Sequence, residues 1–175
     1  TGCKVTAVER GANFVDLCRR KFQAYPNFSA VTAKFEDWDG GAETCDLVYS
    51  ASAFHWVPEE IGYRKVFYLL KPGGAFARFA NHPYKDKGRP EIHEALQRIY
   101  AVYMPGSSPD AEYGWEDAQR RADLARKYGF TDIDCALYHR TRTFTAGEYV
   151  QLLGTYSDHI AIEEETRKRF FAQIE

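Results

Sequence analysis

LVYSASAFHWV, residues 47–57, opens as a buried strand and ends as something else. Leu47, Val48 and Tyr49 follow one another without a polar break, as in a parallel strand covered on both faces. Ser50, Ala51 and Ser52 are small, and His55 and Trp56 come directly after them. Pro58 then occupies the first position of a helix, with Glu59 and Glu60 behind it where the helix dipole favours negative charge. A strand that runs out into small residues leaves room for a ligand to approach the backbone. The aromatic pair that follows supplies a wall for whatever pocket lies beyond.

Working outward, the same alternation of strand and helix recurs. Lys4 to Glu9 is a short β-branched run ending on a carboxylate, and Asn13 to Ala24 places Phe14, Leu17, Cys18 and Phe22 on one helical face. Ser29 to Ala33 and Asp46 to Ser50 read as two more strands. The helix from Pro58 carries Tyr63, Val66, Phe67 and Leu70, and stops at KPGG, where Gly73 or Gly74 can turn left-handed before a strand over Ala75 to Ala80. Crossovers this short predict a parallel, doubly wound α/β sheet. Beyond it, Glu91 to Tyr103 reads as an inserted helix, and Glu116 to Tyr128 as a helix closed by Gly129. Asp132 to Phe144 alternates like a half-exposed strand, and helices follow over Ala146 to Gly154 and from Glu163 to the end.

At 175 residues one domain is expected, with 45% apolar and 27% charged residues as in soluble globular proteins. A net charge of -2 gives no electrostatic pull toward nucleic acid, and no apolar run is long enough to span a bilayer. A basic, apolar leader is not seen in the first twenty residues, so the expected setting is cytoplasmic, with no membrane partner. Cys3, Cys18, Cys45 and Cys135 are too scattered for a zinc site or a disulfide framework, so no metal is expected.

In open parallel sheets ligands lie beyond the carboxyl ends of the strands. Glu9 ends the first strand, where a carboxylate can accept from both hydroxyls of a ribose. Phe35, Glu36, Asp37 and Trp38 follow the second, where a ring beside an acid could hold adenine; equally, the rings could be core and the acids an exposed turn.

In order along the chain, VERGANFVDLCRR (8–20), AKFEDWD (33–39), CDLVYSASAFHWV (45–57) and LLKPGGAFARFAN (69–81) resemble the class I S-adenosylmethionine-dependent methyltransferases. The likeness is to the small-molecule type with an AFHWV-like segment after its fourth strand, and TFTAGEYVQLLGTYSDH (143–159) resembles a cap element of that type. The resemblance implies a Rossmann-like, doubly wound sheet with a helical cap insertion. It implies a partial cofactor core over 1–82, a cap over 83–115, core again over 116–144 and a cap element over 145–175. It implies S-adenosyl-L-methionine as cofactor, held by Glu9 at the ribose, by Phe35, Glu36 and Asp37 at adenine, and by Ser50, Ala51, Ser52 and Ala53 at the methionine end, with Arg10 a further cofactor-binding candidate. The implied reaction is methyl transfer to a small-molecule acceptor, lined by Trp56, Asn81 and Tyr156.

The family's first strand and glycine-rich loop have no counterpart in the sequence, nor does its last strand, so a chain truncated at both ends is expected. The missing first strand would sit in the middle of the sheet and leave its two neighbours with unpaired edges. Methyl transfer from a sulfonium needs alignment and exclusion of water more than acid-base machinery. If the acceptor must lose a proton, His55 is the candidate catalytic base; the alternative is a histidine that orients its loop through a hydrogen bond. Tyr103, Tyr113 and Trp115 are further candidates for the acceptor pocket, and Arg140 and Arg142 could meet a carboxylate. Two rival readings are a nicotinamide-dependent oxidoreductase, in which an acid after the second strand also serves ribose, and a non-catalytic protein of the same shape.

Overall fold

The computed structural model describes residues 2–106 and 112–175. The elements run β1 (Val5–Glu9), α1 (Ala12–Lys21), β2 (Phe28–Thr32), β3 (Cys45–Ala51), a 3-10 turn (Phe54–Trp56), α2 (Glu59–Leu69) and β4 (Leu70–Phe79), then α3 (Pro90–Tyr103), α4 (Trp115–Lys127), α5 (Ala146–Leu153), α6 (Ser157–Ile160) and α7 (Glu164–Ile174). Two compact units result, residues 1–81 with 119–134, and residues 82–118 with 135–175.

In the first unit β1 pairs with β2 and β3 with β4, both in parallel. Among the described residues no ladder joins the two pairs. The helices α1 and α2 make the crossovers, as alternation of short strands with amphipathic helices requires. The burial of α1 is rotated by about one residue from the face read in the sequence. Val15 is fully buried, Cys18 and Phe22 are partly covered, and Phe14 and Leu17 are exposed. The helix is capped at Gly11, two residues before the expected start at Asn13, and Phe22 anchors its far end against Phe28 with ring centres 4.8 Å apart.

β4 begins earlier than KPGG suggests. Cys45 pairs with Leu70 and Leu47 with Ala75, so the segment 71–74 bulges out of the ladder. Gly73, at φ +77°, supplies the left-handed residue within this bulge and not at the helix end. Beneath β3 and β4 lies a core of Phe54, Tyr63, Val66 and Leu70, closed by Phe76 from β4 and by Leu124, Tyr128 and Phe130 from α4 and the segment after it.

The strand expected over 132–144 is absent. Ile133, Cys135 and Leu137 do alternate as the partly covered residues, which is the pattern read from the sequence. Among the described residues no strand ladder includes this segment, and alternation without a ladder is only extended chain. In the second unit Phe170 of α7 is completely buried against Tyr100 and Tyr103 of α3. Helix α5 starts at a capping box in which Thr145 and Glu148 bond each other's backbone amides. The short α6 was not read from the sequence, because four residues carry no period. Among the described residues no disulfide joins any of the four cysteines, and no helix is long and apolar enough to cross a membrane.

Candidate functional site

The end of β3 turns sharply. Ser52 takes φ +49°, a left-handed conformation that a non-glycine residue holds only where its surroundings enforce it. Its surroundings do: Ser52 N donates to Phe79 O at 2.9 Å, and Asn81 N donates to Ser52 Oγ at 3.3 Å. These bonds tie the tips of β3 and β4 together and place Ser50, Ala51, Ser52, Ala53 and Asn81 in one neighbourhood. All but Ser50 are exposed.

The chain then folds into the 3-10 turn because Phe54 is buried, edge-on to Tyr63 and tilted against Phe76. Anchored there, the turn leaves its next two side chains outside. Trp56 is 60% exposed, and the His55 ring lies 5.1 Å from it, tilted by 39°. His55 makes no hydrogen bond with the described residues, so orientation of the loop comes from Phe54 and not from the imidazole. Together Phe54, His55, Trp56, Val57, Pro58, Glu59, Tyr63, Arg78 and Leu124 line a cavity of about 450 Å³.

Arg78 in that wall was missed in the sequence, where it is one residue of an apolar strand. Its register partner is Ser50, and its guanidinium lies over the Phe54 ring at 5.1 Å. Nη1 donates to the Tyr63 hydroxyl at 3.1 Å. Glu59 of the same wall accepts from the Tyr128 hydroxyl at its Oε1, 3.1 Å away, with Lys127 Nζ 3.7 Å from the same oxygen. Burial, together with that hydrogen bond, pushes the Tyr128 phenol above its usual pKa.

At the end of β1, Glu9 Oε1 accepts from Gly11 N at 2.8 Å, and both Glu9 and Arg10 are exposed. One carboxylate oxygen is thus committed to holding the turn. After β2, Phe35 packs against the core of Phe54, Tyr63, Val66 and Leu70, while Asp37 is exposed and Glu36 partly so. The ring serves the core, the bland alternative at that position. Tyr156 belongs to the second unit, where it precedes α6 and meets the His159 ring edge-on at 5.7 Å. Tyr103 stacks on Phe170 and Tyr113 on His82, and the Arg142 guanidinium lies 4.8 Å over Phe144. Among the described residues no three His, Cys, Asp or Glu side chains gather as metal ligands would.

Residues 1–74 match the family model of a methyltransferase domain. Two proteins of Schizosaccharomyces pombe, described as an uncharacterized methyltransferase-like protein and an uncharacterized methyltransferase, are 25% and 23% identical over 98% of this chain. The chain spans 62% and 63% of their lengths. The crystal structure of a candidate sarcosine dimethylglycine methyltransferase from Galdieria sulphuraria superposes over 98% of this chain and 62% of its own, with a TM-score of 0.53 at 15% identity. Residues 1–74 are thus similar to a methyltransferase domain, and the chain has the Rossmann-like fold of the solved methyltransferase structure on which it superposes.

Proposed function

We propose that the protein transfers a methyl group from S-adenosylmethionine to a small-molecule acceptor, and that the residues above form the cofactor side of that site. The observation that carries the reading is the end of β3. Its small residues, pinned by Ser52 to the tip of β4, run directly into a cavity walled by His55 and Trp56.

The residues present fit the cofactor at two of three points. Glu9 is an exposed carboxylate at a strand tip, with one oxygen bonded to Gly11 N and the other able to accept from a ribose hydroxyl. Ser50 to Ala53 offer backbone and little bulk at the methionine end. At the adenine, Phe35 is folded inward, so Glu36 and Asp37 are left to accept from the exocyclic amine.

The bound cofactor supplies a methyl group on a positively charged sulfur, already bonded to a good leaving group. The chain's own residues orient the acceptor and exclude water. Trp56 offers an apolar face beside the strand tip, and the anchored 3-10 turn keeps it there. An acceptor that must lose a proton passes it to His55, whose exposed ring is free of competing bonds to the described residues.

Labelled S-adenosylmethionine incubated with the protein and a metabolite extract tests this: label is expected in a small molecule, and label in none would overturn the proposal. Thermal melts with each cofactor separate the rivals. Stabilisation by S-adenosylmethionine and not by a nicotinamide dinucleotide is expected, because a ligand raises the melting point only of a fold that binds it.

A further inference from the structure

The cavity beneath the His55–Trp56 turn holds a charge that the methyl-transfer reading does not use. Arg78 is partly buried in its wall, one face of its guanidinium covered by Phe54 and one nitrogen bonded to Tyr63. Among the described residues no carboxylate pairs with it. A guanidinium has five donors in a planar fork, and among the described residues one of them is used, on Tyr63. The acid in the same wall, Glu59, is engaged by Tyr128 and flanked by Lys127, so it does not answer the Arg78 charge. Removing a cation from water without an anion is unfavourable, whereas two parallel N–H bonds to a carboxylate satisfy both charge and geometry.

We infer that this cavity binds a carboxylate-bearing small molecule, with the carboxylate on Arg78 and a planar or apolar body against Trp56. Taking that molecule to be the methyl acceptor rests on the function proposed above; the preference for an anion rests on the cavity alone. Tyr63 is a positioning residue here, since its hydroxyl and the Phe54 ring fix the fork. The volume of about 450 Å³ suits a molecule of one or two rings.

Benzoate and benzamide, which share a shape and differ in charge, are the probes, titrated into the protein and followed by ligand-observed NMR. Benzoate is expected to bind at least about tenfold more tightly than benzamide, equivalent to about 1.4 kcal/mol. Arg78→Gln should abolish the preference, Arg78→Lys should keep part of it, and Tyr63→Phe, which retains the charge, should keep most. Equal binding of the two probes, no binding of benzoate, or an unchanged preference in Arg78→Gln would overturn the inference. Should Arg78→Gln fail to fold, the wild-type comparison and Arg78→Lys decide. S-adenosylmethionine is titrated separately: its failure to bind would count against methyl transfer and leave the anion site standing.

Discussion

Gly62 of α2 lies directly against the Phe54 ring: a methyl group in its place would stand 2.9 Å from Phe54 Cζ and 3.0 Å from Val57 Cγ1. Those two residues bracket the turn that presents His55 and Trp56. Glycine in a helix interior is ordinarily a weakness of about 1 kcal/mol relative to alanine. Here it lets the helix approach the turn closely, so the usual gain should reverse. Gly62→Ala is expected to lower the melting temperature and to weaken benzoate binding; a higher melting temperature with binding intact would refute the packing argument.

Tyr63 should divide into a ring effect and a hydroxyl effect. Its side chain is 2% exposed and stacks on Tyr128 with ring centres 4.9 Å apart. Tyr63→Ala is expected to cost about 3–5 kcal/mol in urea unfolding, as for other large aromatics removed from a core. Tyr63→Phe removes only the bond to Arg78 and should cost about 0.5–1.5 kcal/mol. Equal losses in the two variants would mean that the ring is not the structural element.

Two glutamates give the second unit an acid-sensitive edge. Glu148 is held below the ordinary 4.5 by hydrogen bonds from the Thr145 backbone and side chain, and Glu163 by bonds from the amides of Glu165 and Thr166. Both are depressed in the folded state, so their stabilisation is present above the ordinary carboxylate pKa and disappears as pH falls through the lower folded values. Helical content should therefore hold from neutrality to about pH 5 and fall below it. In a Glu148→Gln, Glu163→Gln variant the acid-dependent part of that fall should shrink; an identical acid profile would contradict the assignment.

His55→Gln should separate chemistry from structure. The ring is exposed and bonds to none of the described residues, so unfolding curves should coincide with wild type. For an acceptor that loses a proton, turnover should drop by about 10²–10⁴-fold, the range for a positioned base. Undiminished turnover would assign His55 to the cavity wall alone.

The strand tips were legible because parallel strands announce themselves locally. The apolar run Leu47 to Tyr49 marks the strand, which continues past the change at Ser50 to Ala51; the cover on both faces that the run suggests is not found, since Leu47 and Tyr49 are exposed. Phe35 was not legible in the same way. Whether a ring after a strand faces a ligand or a core depends on what packs behind it, here Phe54 and Tyr63, which lie about twenty to thirty residues further along the chain. Arg78 was hidden for the same reason: alternation says that it shares a face with Phe76, but not that this face opens onto a cavity beneath a turn from another strand. The extended run through Ile133 and Leu137 shows the converse error, since alternation predicts a face and says nothing about a bonding neighbour.

The central claim, that S-adenosylmethionine lies across the tips of β1 and β3, is tested most directly by backbone amide NMR during titration of the protein with that cofactor. The account predicts saturable shifts at Glu9, Gly11 and Ser50 to Ala53, much reduced in Glu9→Ala. Shifts confined to other surfaces, or none at any of these amides, would contradict it.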